Sequence, residues 1–100
     1  EEVLGKCRVV AATLYGASFS VLENQFYDVV VIDEAAQATE PSCWLALLKS
    51  KKVVLAGDHH QLAPTVKSSA AKSRLGYTLF ERLTDTARDQ VSNDHLCKTR

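Results

Sequence analysis

The residues best suited to chemistry lie in two short stretches, "VVVIDEAAQATEP" (29–41) and "GDHHQL". The first contains two adjacent acids, Asp33 and Glu34, and the second contains Asp58 and Gln61. Mg²⁺ usually takes one or two protein carboxylates together with substrate phosphates, so one acid can hold the metal. The neighbouring acid can orient and deprotonate a water, and the Gln61 amide can contact a terminal phosphate or that water. The spacing therefore predicts a phosphoryl-transfer site.

Three short apolar segments, 8–13, 28–33 and 51–57, are predicted strands that position these residues. Four successive branched apolar residues in the second segment are typical of a strand covered on both faces. Ligands bind at the carboxyl ends of the strands in open parallel sheets. We therefore expect the two acids at the accessible rim of the sheet, with Thr13, which closes the first segment, at the same edge.

Helical patterns lie between and after the strands. Pro41 follows Thr39 and Glu40 and suits the first turn of a helix, where its missing N–H costs little. Two apolar stripes at helical spacing then follow, Cys43, Trp44, Leu47 and Leu48 in the first and Leu79, Phe80, Leu83 and Ala87 in the second. Trp44 is expected in the core, and residues 63–76 are predicted as a loop with room for a helical turn. Strands alternating with helices indicate an α/β fold with a parallel sheet.

Composition limits the remaining possibilities. The chain has 100 residues, a formal net charge of +0 and 46% hydrophobic residues, which suits at most one small globular domain. Balanced charge gives no reason to expect nonspecific attraction to nucleic acid or membrane. Three widely spaced cysteines without a C-x-x-C pair favour reduced thiols in the cytoplasm or nucleus. No signal peptide or membrane-spanning stretch is predicted, and the way the sequence begins and ends suggests a fragment.

Four stretches resemble, in order, the motifs of one family. "VVIDEAAQATEP" and "VVLAGDHHQLAPTV" resemble motifs II and III of superfamily 1 helicases, in the branch of the nonsense-mediated-decay helicase and the immunoglobulin-mu-binding-protein helicase. "VVAATLYGAS" (9–18) is similar to the threonine-bearing motif upstream of them, and "LGYTLFERL" (75–83) to the helix that follows motif III. The resemblance covers most of residues 8–83. It implies part of a RecA-like P-loop NTPase domain, with a parallel sheet flanked by helices.

The same resemblance implies roles for individual residues. Asp33 would be the Mg²⁺-linked acid, Glu34 the catalytic base, and Gln61 the contact to the γ-phosphate of ATP. Gln37 and Asp58, with Asp33 and Gln61, would form the nucleotide-binding set. The implied cofactors are ATP and Mg²⁺.

The implied polymer partner is single-stranded RNA or DNA. Thr13 and Thr65 would lie on the nucleic-acid side of the site. No membrane partner is implied.

The sequence also departs from the family pattern. "GKC" at 5–7 has Cys7 where a Walker A loop has Ser or Thr, and it leads into a predicted strand, so we interpret it as an accidental match in a loop. The arginine-bearing motifs of a second motor domain do not occur, and Ala63 stands where the family usually has a second proline. We therefore expect residues 1–100 to be an incomplete motor domain that needs the rest of a helicase chain for a complete site.

Three hypotheses about function remain at this point. The first is a piece of an ATP-dependent RNA/DNA helicase, and the second is a truncated, non-catalytic interaction module derived from one. Flanking sequence separates these two, because both share every residue present here. The third is an unrelated metal-dependent hydrolase that uses Asp33, Glu34, Asp58 and a histidine. Metal preference separates the third, because imidazole ligands favour zinc over magnesium.

Overall fold

Short strands and helices alternate along the chain. The structure is a computed structural model that describes residues 3–58, 60 and 62–97. Over these residues the elements are, in chain order, β1 (Val30–Ile32), α1 (Glu40–Leu47), β2 (Val53–Leu55), α2 (Ser69–Leu75) and α3 (Leu79–Cys97). Short 3-10 turns occupy Leu4–Lys6, Gly16–Ser18, Ser20–Leu22 and Ala35–Gln37.

The two strands form a parallel sheet. Val30 of β1 pairs with Val53 of β2, and Ile32 pairs with Leu55. Branched side chains favour this conformation because they pack well on a pleated surface. Parallel neighbours need a crossover between them, and α1 lies in that connection. The predicted α/β class with a parallel sheet is confirmed.

The predicted strand at residues 8–13 is wrong. The structure assigns no strand to this segment, although the segment and β1 line the same cavity, which has a volume of about 340 Å³. A strand needs a partner about 4.8 Å away, and no described residue pairs with this segment in a ladder. The β-rich composition of the segment therefore does not produce a third strand here.

The core is small and lies between β1, α1 and the start of α3. Each of the three elements contributes a buried member, with Ile32 3% exposed, Cys43 0% and Leu79 3%. Burial raises the pKa of the Cys43 thiol, and the nearby Glu40 carboxylate adds to the effect. A thiol in such a place acts as a small apolar group rather than as a nucleophile.

Trp44 does not belong to this core, which corrects the prediction. Its side chain is 45% exposed, and its Nε1 donates a hydrogen bond to Oε1 of Glu40 at 3.3 Å. In an α-helix consecutive residues point about 100° apart, so Cys43 and Trp44 cannot both face the same narrow core. The smaller Cys43 takes the inward position.

An ion pair ties α1 to α3. Arg82 donates from Nε to Oε2 of Glu40 at 3.0 Å and from Nη2 to Oε1 at 2.6 Å. The two parallel bonds form the bidentate geometry that guanidinium and carboxylate prefer. The Arg82 guanidinium lowers the pKa of Glu40, and the Glu40 carboxylate raises that of Arg82. The pair therefore links the first turn of α1 to α3.

Helix α3 begins with a capping box. The Thr78 side chain accepts a hydrogen bond from the Glu81 N–H at 3.1 Å, and the Glu81 carboxylate accepts one from the Thr78 N–H at 2.9 Å. Such reciprocal bonds satisfy backbone donors that would otherwise lack partners at a helix start.

Among the helices in the described residues, none could span a membrane.

Helix α2 occupies the segment predicted as a loop. Residues 63–76 begin without regular structure, and then Ser69–Leu75 form two turns of helix. Ala70 and Ala71 favour the helix because alanine loses little side-chain entropy on folding. The sequence predicted a loop with room for one helical turn, and the structure has a longer helix there.

One face of the sheet carries exposed apolar side chains. Val31 of β1 is 65% exposed and Val54 of β2 is 52% exposed. The sequence predicted a strand covered on both faces, and in this chain that prediction is wrong. Within the described residues only one face of β1 packs on the core, through Ile32. A parallel sheet normally has both faces covered, so this face is suited to a further layer of protein.

We expect the isolated chain of residues 1–100 to bind a hydrophobic fluorescent dye in its native buffer, because contiguous exposed valines provide an apolar surface. The change Val31→Thr should lower the dye fluorescence. Val3→Thr serves as a matched control, since Val3 is 74% exposed but lies outside the sheet. A cooperative, monomeric thermal melt without dye binding would contradict this expectation.

Candidate active site

The two strand ends meet at one edge of the sheet. Beyond the last paired residues, the Ala56 N–H donates to the Ile32 carbonyl at 2.9 Å, and the Ala35 N–H donates to the Ala56 carbonyl at 2.8 Å. These bonds continue the parallel pairing through the residues that carry the acids. The structure therefore brings Asp33 and Glu34 to the same edge as Asp58, as the strand order requires.

Glu34 has an unusual backbone conformation. Its φ of 52° and ψ of 36° lie in the left-handed region, and among the described residues Glu34 alone has a positive φ. This conformation costs about 1–2 kcal/mol for a residue with a Cβ atom. The Ala35–Ala56 bond and a 2.9 Å bond from the Gln37 N–H to the Glu34 carbonyl hold it. Strained residues of this kind concentrate at functional sites.

A buried turn follows the acids and supports them. In the turn Ala35–Gln37, Ala35 is 1% exposed and Ala36 is 4% exposed. Ala35 belongs to the same core cluster as Cys43 and Leu79. The small side chains let the chain reverse direction against the core. The acids consequently lie directly before a buried turn rather than in an exposed loop.

Both carboxylates are exposed and held by local hydrogen bonds. Asp33 Oδ1 accepts a bond from the Glu34 N–H at 3.0 Å. Glu34 Oε2 accepts a bond from Nε2 of Gln37 at 2.9 Å. Because both residues are exposed, a ligand can reach either carboxylate. The Gln37 amide therefore donates its hydrogen bond to Glu34 in this structure. A contact of Gln37 with nucleotide stays a prediction.

The loop after β2 is shaped by Asp58. Its Oδ1 accepts a hydrogen bond from the His60 N–H at 2.9 Å. Such a bond between an aspartate and the backbone two residues on is typical of an Asx turn. Gln61 lies outside the described residues. Its contact with the γ-phosphate, and that of Asp58 with nucleotide, stay predictions.

The two threonines assigned to the nucleic-acid side occupy different surroundings. Thr13 Oγ1 accepts a hydrogen bond from the Gly16 N–H at 2.9 Å, so this hydroxyl stabilises the start of the turn Gly16–Ser18. Thr65 is exposed in the irregular segment that precedes α2. The strand that was to carry Thr13 to the sheet edge does not form. The nucleic-acid roles of Thr13 and Thr65 stay predictions.

The donor set at the edge suits magnesium. Asp33 offers an exposed carboxylate, the hard oxygen ligand that Mg²⁺ prefers, and the metal usually completes its shell with water and phosphate. Within residues 3–58, 60 and 62–97, no group of three or more His, Cys, Asp or Glu side chains is placed to hold a metal ion. The Asp33 carboxylate, with a second acid next to it in the chain, matches the one or two protein carboxylates that Mg²⁺ usually takes.

Two features of the site were not foreseen from the sequence. Left-handed conformations are usually associated with Gly, Asn and Asp, so nothing in the residue type of Glu34 indicated one. The sequence predicts Gly57 as the end of a strand, and in the structure it also lies against the turn Ala35–Gln37. A glycine between a strand and an acid does indicate a close backbone approach, and that signal was available.

Comparison with known proteins gives consistent matches. A family model described as an AAA domain matches residues 1–69. DNA polymerase alpha-associated DNA helicase A of Schizosaccharomyces pombe is 46% identical over 89 residues, which is 89% of this chain and 13% of that protein. DNA-binding protein SMUBP-2 of Rattus norvegicus is 49% identical over 87 residues, 82% of this chain and 9% of that protein. ATP-dependent helicase NAM7 of Saccharomyces cerevisiae is 44% identical over 84 residues, 82% of this chain and 8% of that protein. The chain thus spans a small part of the length of these relatives.

Proposed function

Because this chain belongs to the superfamily 1 helicases, in the branch of the nonsense-mediated-decay and immunoglobulin-mu-binding-protein helicases, we propose that it supplies half of the ATPase site of an ATP-dependent RNA/DNA helicase. Its fold is a partial α/β P-loop NTPase domain. Family membership also rules out the hypothesis of an unrelated metal-dependent hydrolase. The reaction is hydrolysis of the terminal phosphate of ATP by water, which yields ADP and inorganic phosphate.

One observation carries the proposal. Two adjacent acids follow β1 at the same sheet edge where Asp58 follows β2, and Glu34 is held there in a left-handed conformation. A solvated strand end would not need a backbone conformation that costs free energy. The cost is understandable if the turn directs the two carboxylates to different tasks.

In the proposed mechanism Asp33 would bind the metal, and Glu34 would accept a proton from the attacking water. Mg²⁺, if bound with nucleotide, would neutralise charge on the phosphate oxygens. Asp33 would hold this ion directly or through water. Glu34 orients the attacking water and takes its proton, and the Gln37 amide at 2.9 Å keeps the Glu34 carboxylate in place.

The remaining assigned residues have supporting roles in this proposal. Gln37 and Asp58 belong to the nucleotide-binding set, and Gln61 contacts the γ-phosphate. A glutamine that touches this phosphate only before hydrolysis can report the nucleotide state. Thr13 and Thr65 face the nucleic acid, which is single-stranded RNA or DNA. A location in the cytoplasm or nucleus fits these partners.

We infer that residues 1–100 form an incomplete motor domain, and that a complete site needs the Walker A loop and a second motor domain from the rest of a helicase chain. The exposed Val31 and Val54 support this inference, since they leave room for a further layer on the sheet. A Walker A loop binds phosphates with its backbone N–H groups and a lysine, and residues 5–7 do not match it.

The test compares the isolated chain with the full-length protein that carries this sequence. We expect Mg-ATP turnover, stimulated by single-stranded RNA or DNA, from the full-length protein alone. The isolated chain should show no turnover, because a site without its phosphate cradle lacks positioning and charge stabilisation. Turnover by the isolated chain that Glu34→Gln abolishes would contradict the claim of an incomplete site. A full-length protein without turnover would favour the non-catalytic interaction module.

A further inference from the structure

Gly57 lies in close contact with the turn that follows the acids. A Cβ atom placed on Gly57 would be 3.0 Å from the backbone nitrogen of Ala36 and 3.2 Å from that of Ala35. It would also be 3.4 Å from the Cβ of Ala36. Contacts of 3.0–3.2 Å are tighter than a Cβ atom usually makes, so a side chain at this position would require the backbone of the turn to shift by a few tenths of an ångström.

Space, rather than backbone conformation, explains the glycine. None of the described glycines has a positive φ, so Gly57 does not need the left-handed conformation that only glycine adopts easily. The atoms that a side chain would meet are mainly backbone atoms, which cannot rotate away as the end of a flexible side chain can. Gly57, which follows β2, is therefore the position where the chain passes closest to the turn Ala35–Gln37 without room for a side chain.

The turn has little freedom to move away from such an overlap. Ala35 and Ala36 are almost completely buried, and Ala35 packs in the core with Leu79. The Ala35 N–H is also bonded to the Ala56 carbonyl at 2.8 Å, immediately before Gly57. Closely packed interiors pass a displacement on to their neighbours. Glu34 directly precedes this turn, so a displacement of the turn would also move Glu34.

We propose that Gly57 is a positioning residue of the ATPase site. Its missing side chain leaves space for the turn Ala35–Gln37, and the turn in this position directs the Glu34 carboxylate towards the attacking water. The proposal rests on the function proposed above. It adds a residue that touches neither nucleotide nor metal. Gly57 acts through the turn, whereas Glu34 acts on the water.

The test is Gly57→Ala in the full-length protein. A displacement of about 1 Å in a catalytic group can cost about 10²-fold in rate, so a shift of a few tenths of an ångström should lower kcat by about tenfold. The KM for ATP and the ATP affinity should stay within about twofold, because the substitution does not remove a group that binds the nucleotide before the reaction. A residue with a purely structural role would not separate kcat from KM in this way.

Gly5→Ala is the matched control. A Cβ on Gly5 would meet no atom within 4 Å, so the same substitution adds the same methyl group in open space. We expect kcat of Gly5→Ala to equal that of the unchanged protein. Equal kcat for Gly57→Ala and Gly5→Ala would overturn the proposal.

A second variant addresses the case in which Gly57→Ala folds poorly. The double change Gly57→Ala with Ala36→Gly removes the 3.4 Å contact with the Ala36 Cβ, leaves the closer contacts with the backbone nitrogens of Ala35 and Ala36, and gives the turn more conformational freedom. Because the closer contacts remain, this variant should fold but keep most of the loss in kcat. A parallel fall of kcat and ATP affinity, or loss of folded protein in both variants, would overturn the proposal.

The failure of this proposal can be told apart from the failure of the proposed function. If Glu34→Gln turns over ATP at the unchanged rate, the function assigned to the acids is wrong, whatever Gly57 does. If Glu34→Gln loses turnover while Gly57→Ala keeps it, only the positioning role of Gly57 is wrong.

Discussion

The change Glu34→Gln should lower ATP turnover of the full-length protein by about 10²-fold or more, the usual effect of losing a general base. ATP should still bind, because an amide has the size of the carboxylate and can still accept the hydrogen bond from Gln37, now 2.9 Å long. The physical reason is that glutamine has no basic oxygen to take the proton of the attacking water. Nucleotide affinity measured beside turnover gives the result directly.

Glu23→Gln is a matched control for this change. Glu23 is exposed and follows the turn Ser20–Leu22, away from both strand ends. Its substitution should leave turnover unchanged. A Glu34→Gln variant that lost ATP binding, or one whose turnover equalled that of Glu23→Gln, would show that Glu34 is not the base.

The change Asp33→Asn should weaken binding and turnover together. The metal contributes several kcal/mol of charge stabilisation, so losing its protein ligand should lower turnover by about 10²-fold or more. Asparagine keeps an oxygen that can accept the Glu34 N–H, which is bonded to Oδ1 at 3.0 Å, so the local fold should persist. A titration of ATP affinity against Mg²⁺ concentration should show that the variant needs more metal, while affinity without metal stays the same.

Asp28→Asn is the control for the metal ligand. Asp28 is exposed and lies at the opposite end of the same strand, before β1 begins. It should have the magnesium dependence of the unchanged protein. Normal turnover in Asp33→Asn, together with lost ATP binding in Glu34→Gln, would reverse the assignment of the two acids. Equal and mild effects of both changes would indicate a charged strand end without chemistry.

Local sequence patterns were sufficient to predict the elements that carry the site. Runs of branched residues indicated β1 and β2, and a proline in the first turn indicated the start of α1, which begins at Glu40. These signals act over a few residues, through steric preference and helix capping, so neighbouring residues determine them. The same patterns failed at residues 8–13, because a strand also needs a partner at hydrogen-bonding distance.

The sequence by itself therefore determined the α/β class and the position of two acids at the end of a parallel strand. Tertiary structure alone decided how those acids are held. The left-handed Glu34 depends on a bond between Ala35 and Ala56, and the room for its turn depends on Gly57. Residues about twenty positions apart in the chain meet here only after the strands pair. Local preference cannot encode such contacts, because their distances are set by packing across the sheet and core.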